Sequence, residues 1–339
     1  MRSGRLPPSL LFTGPEGAGK ELFAIELAAM LNCGSQEEDG ERHCPSCMKV
    51  GNLEHPDLHI IYAVPYGEWE KAMPIVMESR REDFFNYGEF GNRARSIGID
   101  LIRKVIESVS KRPYEGHYTV VILFEAHLMT VGSQNAFLKL LEEPPASAVI
   151  LLVTDYPDRL LPTILSRCQQ VRFDPLPVDG ISDFLVRFYS VKRKEARRLA
   201  LLSDGNLRRS IKLLDEGFLE VRRDATSILQ LVIDGKAKEL LAASERCATR
   251  YAREEVSALL DESARILRLL LRAQAGEVSK DEISVLEEAL GKQRIPGAEK
   301  RDLPADLRRV YRAAVSIRKN ADIELTLSQL LLDLVGKWY

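Results

Sequence analysis

The apolar positions of this chain fall into two regimes. In the first half, short unbroken apolar runs alternate with stretches in which apolar residues recur every three or four positions, and in the second half only the latter spacing remains. The run SLLFTG (residues 9–14) reads as a buried strand entering a glycine-rich turn, and KELFAIELAAMLNC (20–33) as the helix that follows. A second strand is expected in HPDLHIIYAV (55–64), an amphipathic helix in IDLIRKVIESVSKR (99–112) and a buried strand in YTVVILFEA (118–126). A helix in SQNAFLKLLEE (133–143) is stopped by Pro144 and Pro145, and SAVILLVTD (147–155) is a further buried strand. Strands without polar alternation, separated by helices, predict an α/β domain with a parallel sheet covered on both faces. The aromatic and charged segment from about Pro65 to Asn92 has no clear period and reads as an inserted loop or helix. Beyond about Leu176 the pattern is helical throughout. The expected domains are an α/β domain over 1–174, a small helical lid over 175–220 and an all-α domain over 221–339.

A chain of 339 residues is too long for one ordinary core, and 45% hydrophobic with 29% charged residues describes a globular protein. The net charge of −2 argues against a protein that coats DNA through bulk positive charge, so any DNA contact should be local. No apolar run approaches a membrane span, and the N-terminal apolar stretch is too short for a signal peptide; no membrane and a cytoplasmic location are the expectation.

Gly14, Gly17, Gly19 and Lys20 lie in GPEGAGK, which fits G-x-x-x-x-G-K between a strand and a helix. Backbone N–H groups and a helix N-terminus there can cradle phosphates, with Lys20 reaching them. The next residue is Glu21, where a hydroxyl should ligate Mg²⁺. The second metal position, an Asp before Glu125, is Phe124. Both losses point to a degenerate nucleotide site that does not hydrolyse ATP. Its simplest alternative role is packing the first strand against its helix.

QNAFLKLLEEPP (from Gln134), DRLLPTILSRCQQVRF and the Ser166-Arg167-Cys168 triplet closely resemble bacterial clamp-loader subunits of DNA polymerase III, in the AAA+ class, over roughly Leu10 to Leu214. Glu21 and Phe124 make the chain look like the delta-prime type rather than the gamma/tau type. The resemblance implies that Arg167 is an arginine finger reaching a neighbour's ATP in trans, that Thr154 and Arg208 stand at the two sensor positions, and that the C-terminal helices form an oligomerisation collar. It further implies gamma/tau and delta type partners, a sliding clamp, and primed DNA held through the complex. The family normally has a further stretch before the first strand, where this sequence has only a few residues.

Cys44-Pro-Ser-Cys47 offers two thiolates to one tetrahedral ion, and Cys33 lies just upstream. The segment 33–47 resembles the four-cysteine zinc module of these subunits with one ligand missing. Glu41 or His43 is left to complete a structural zinc site, against the alternative of three reduced thiols.

Two competing readings accompany the delta-prime one. The first is an active gamma/tau-type ATPase. The second is a DNA-binding AAA+ protein acting outside replication, in which Trp69, Phe84, Phe85, Tyr87 and Phe90 stack on bases.

Overall fold

Three strands of five or more residues have every residue buried: β1 (Ser9–Thr13), β5 (Thr119–Leu123) and β6 (Ala148–Thr154). Such runs are stable only where both faces of a sheet are covered. In the computed structural model, which describes residues 6–34, 44–85, 93–295 and 301–335, they form the centre of a parallel sheet. β2 (Leu58–Ile61) and β7 (Gln169–Arg172) complete it in the order β2-β5-β6-β1-β7. The register places Thr13 beside Thr154 and Leu123 beside Leu152, so β1, β5 and β6 end close together. Alternate residues feed two cores. Leu10, Phe12, Val120, Ile122 and Phe124 face one, with α1 (Lys20–Leu31) and α2 (Pro45–Gly51). Leu11, Val121, Leu123, Ile150 and Leu152 face the other, with α4 (Ile99–Val109) and α5 (Val131–Glu142).

The segment left open between loop and helix contains α3 (Trp69–Glu82), with Ala72, Val76 and Arg80 buried. It is framed by a two-stranded antiparallel ribbon of β3 (Val64–Pro65) and β4 (Arg95–Ser96). Trp69 and Phe84 are half-buried and pack against the apolar core. Tyr87 and Phe90 lie outside the described residues. The short helix α6 (Pro162–Leu165) leads into β7.

The chain divides into two units, Met1–Pro177 with Gly205–Arg208, and Val178–Asp204 with Arg209–Tyr339. The second unit is helical: α7 (Val178–Tyr189), α8 (Arg193–Ser203), most of α9 (Leu207–Lys212), α10 (Glu216–Ile233), α11 (Ala237–Arg250), α12 (Arg253–Gln274), α13 (Lys280–Leu290), α14 (Leu303–Arg318) and α15 (Ile323–Val335). Its main apolar cluster is centred on α12, whose Val256, Leu259, Leu260, Ile266, Leu267 and Leu270 recur at helical spacing and pack against α10 and α14. Buried ion pairs in this unit include Arg209 with Glu262 and Arg301 with Asp306. The helix starts are written in the sequence: Ser279 accepts from Glu282 N at 3.2 Å while Glu282 accepts from Ser279 N at 2.7 Å, and Asp302 caps α14.

Candidate functional site

The turn between β1 and α1 is held in a shape that only glycine allows. Gly14 and Gly17 have φ of 141° and 72°, and a Cβ on them would meet Phe173 O at 2.2 Å and Asn206 Oδ1 at 1.9 Å. Gly19, at φ 83°, caps α1. Leu207 N donates to Gly17 O at 2.9 Å, tying the Gly205–Arg208 strap onto the loop.

Above the loop is a cavity of about 290 Å³ lined by Gly17, Gly19, Lys20, Glu125 and Arg208, so five of the sequence-predicted nucleotide positions converge there. Thr154 is buried at the end of β6. Its hydroxyl pairs with His127 Nδ1 at 3.1 Å and accepts from Tyr156 N at 3.1 Å. Burial lowers the pKa of His127 from its usual value, with Asp155 acting in the opposite direction. Glu125 has the left-handed φ of 49° and is held by Arg95 through two bonds of 2.8 Å. Burial raises its pKa despite the guanidinium.

What fills the site is this chain's own charge. The ammonium of Lys20 has three donors. They go to Gly14 O at 2.9 Å, Pro15 O at 2.6 Å and Asp155 Oδ1 at 2.7 Å. Glu21 accepts from Arg80 at 2.8 Å and from Arg208 at 3.2 Å. Arg208 also lies 3.7 Å from Glu16. Four carboxylates (Glu16, Glu21, Glu125, Asp155) and three cations (Lys20, Arg95, Arg208) line the cavity, and Arg80, outside the lining, balances Glu21.

Phe124 is wholly buried and stacks on Tyr62 with ring centroids 4.9 Å apart. Arg80 donates through Nε to the Tyr62 hydroxyl at 3.0 Å, and its guanidinium lies 5.7 Å from the Phe124 centroid. The neighbourhood expected to bind metal is therefore an aromatic core capped by a guanidinium that neutralises Glu21.

Arg167 does not line the cavity. At the junction of α6 and β7, a third exposed, it pairs with Glu142 at 2.7 Å and donates to Thr163 O at 3.0 Å.

Cys33, Cys44 and Cys47 are brought together, their sulfurs all within 4.8 Å. Cys44 Sγ caps α2, accepting from Cys47 N at 3.3 Å, and lies 3.2 Å from Cys47 Sγ and 4.0 Å from Cys33 Sγ. Sulfurs sharing a tetrahedral zinc at ~2.3 Å each would sit roughly 3.7 Å apart, so three corners fit the ion. Burial raises the Cys44 thiol, but N–H donors from Cys47 and Gly34 and the neighbouring thiols outweigh it and bring it down to about 6. Burial pushes Cys47 up to about 12, the other sulfurs adding to the shift. Glu41 and His43 lie outside the described residues.

Arg80, Arg95, Asp155 and Glu142 escaped the sequence reading. Asp155 had a usable signal: it follows Thr154 at the end of β6, which pairs with β1 and so delivers its next residue to the phosphate loop. Arg80 sits on the segment without periodicity and Arg95 just beyond it, and neither gave one.

A family model described as "DNA polymerase III, delta subunit" matches residues 1–177. The delta' subunit of DNA polymerase III from Bacillus subtilis is 29% identical over 233 residues, 68% of this chain and 61% of that protein. The delta' subunit from Pseudomonas aeruginosa is 31% identical over 237 residues, 69% of this chain and 62% of that one. The tau subunit from Escherichia coli is 31% identical over 271 residues, 77% of this chain and 37% of that one. The chain thus spans about three fifths of these delta' relatives and under two fifths of this tau relative.

Proposed function

This chain belongs to the DNA polymerase III delta-subunit family, whose model covers its first 177 residues, and on that premise we propose that it is a delta-prime-type scaffold subunit of a clamp loader, not an ATPase in its own right. One observation carries the reading: Lys20, Arg95 and Arg208 are already paired with Asp155, Glu125 and Glu21 of the same chain. A triphosphate entering would have to displace those pairs and then face unbalanced carboxylates without the hydroxyl and aspartate that hold Mg²⁺. Loop and cavity persist as packing, with the strap at Leu207 using the loop as its anchor.

In this role Arg167 acts outward. Its guanidinium is at the surface, held in a fixed pose by Glu142 and Thr163 O, and would be presented to the ATP of an adjacent gamma/tau-type subunit to stabilise charge in phosphoryl transfer. The helical unit serves as the oligomerisation collar. Delta-type and gamma/tau-type subunits are its partners, with the sliding clamp and primed DNA met through the assembly. Cys33, Cys44 and Cys47 hold a structural zinc ion, with Glu41 or His43 left to complete it.

Similarity to tau subunits supports a second reading, an active ATPase. Equilibrium titration of the purified chain with Mg-ATP separates the two. Absent or millimolar binding, with no turnover, is expected of the scaffold. Micromolar binding with turnover that Lys20→Ala abolishes would establish the ATPase.

A further inference from the structure

The helical unit contains a cavity of about 200 Å³ bounded by α8, α10, α12 and α13, with Asp204 and Arg209 at its edge. Part of the lining is apolar, from Leu202, Ile266, Leu269 and Leu286. The rest is charged, with five arginines against three carboxylates, an excess of two cations.

The pairing is uneven. Arg209 and Glu262 form a buried two-pronged ion pair, and Arg272 holds Glu282 at 2.9 Å. Arg268 is bonded to the Tyr311 hydroxyl. Arg265 has only distant carboxylates, Asp204 at 3.8 Å and Glu262 at 4.0 Å. Arg222 makes no hydrogen bond or ion pair through its guanidinium among the described residues; Glu262 and Glu288 act on it only through space. Burial lowers the pKa of Arg222 and of Arg265 below the usual arginine range, the charge of Arg209 adding to the effect on Arg265. Both side chains are half-buried, that of Arg265 27% exposed, and neither guanidinium has a carboxylate within 3.5 Å among the described residues. Arg222 from α10 and Arg265 from α12 both line the cavity, and guanidinium binds oxyanions through paired N–H donors.

We propose that this cavity is a binding site for a small phosphate monoester, its dianion held between Arg222 and Arg265 and its organic part against Ile266, Leu269 and Leu286. A doubly charged phosphate balances the two surplus cations, as a single carboxylate would not. The volume lies below the ~300 Å³ of drug-sized sites, which restricts the ligand to a small one. The apolar lining favours an ester over free phosphate. The site lies wholly in the helical unit and is independent of the nucleotide-loop reading.

The test is calorimetric titration of the full chain with phenyl phosphate and, separately, with inorganic phosphate. One saturable site is expected, at least tenfold tighter for phenyl phosphate and weakened at least tenfold by Arg222→Leu, while Lys20→Ala leaves it unchanged. Arg265→Gln, a milder change, is expected to weaken it similarly and serves if Arg222→Leu does not fold. Absence of saturable phenyl phosphate binding, equal affinity for both probes, or binding lost in Lys20→Ala and kept in both arginine variants would overturn the proposal.

Discussion

Asp155 places a carboxylate oxygen 2.7 Å from the Lys20 ammonium, which is otherwise bonded to two carbonyls of its own loop. The lysine that defines a phosphate loop is thereby satisfied without phosphate. Asp155→Asn keeps an oxygen acceptor while removing the charge, leaving three carboxylates and three cations on the lining. Nucleotide affinity, measured by titration with ATP in the absence of metal, is expected to rise at least tenfold, or about 1.4 kcal/mol. Unchanged affinity would mean that Asp155 does not guard the loop.

Phe124 is a core residue. Replacing it with Asp, which nominally restores a metal ligand, removes its stack on Tyr62 and buries a carboxylate in an apolar site. A loss of about 3–5 kcal/mol is expected from the aromatic truncation alone. Urea unfolding of the Phe124→Asp chain should show a lowered midpoint without recovered ATPase activity; an unaltered midpoint would contradict this assignment.

The cysteine cluster yields a composition test. Chain produced with zinc available is expected to carry close to one zinc per chain by elemental analysis, and Cys47→Ser to lose it together with thermal stability. Three freely titrating thiols and no zinc in the native chain would establish the reduced-cysteine alternative.

Asp57 gives a pH dependence with a defined sign. Its buried carboxylate accepts from the backbone N–H groups of Tyr114, Glu115 and Gly116 at 2.5, 2.9 and 2.7 Å. Burial opposes ionisation, yet these donors prevail and lower the pKa from 3.8. A depressed native pKa means that the stabilisation is present above the unfolded value and disappears as pH falls below about 3.8 toward the native one. Asp57→Asn should lower stability at pH 7 and flatten its decline in that acid window, followed by denaturant unfolding across pH. A parallel downward shift of the whole curve would rule out this titration as the cause.

The alternation of apolar runs and helical periods made the parallel sheet legible before any coordinates, because buried strands such as AVILLVT have no polar face to confuse them. β7 gave no such signal: QQVR is polar and mostly exposed at the sheet edge, and it joins through hydrogen bonds to β1 that hydropathy does not encode. β3 and β4, two residues each, are too short to carry a period. At the site, the glycines and Lys20 could be read from spacing alone. The pairing of Lys20 with Asp155, of Glu21 with Arg80 and of Glu125 with Arg95 depends on elements that meet only in the fold, Arg80 being 59 residues from Glu21.

The central claim is that this chain completes a neighbour's ATP site and does not run its own. The most direct measurement is ATP turnover of the reconstituted loader with clamp and primed DNA, comparing the parent chain with Arg167→Ala and Lys20→Ala. The scaffold account predicts a loss of orders of magnitude for Arg167→Ala, with Lys20→Ala close to parent. A collapse of turnover in Lys20→Ala with Arg167→Ala near parent would contradict it.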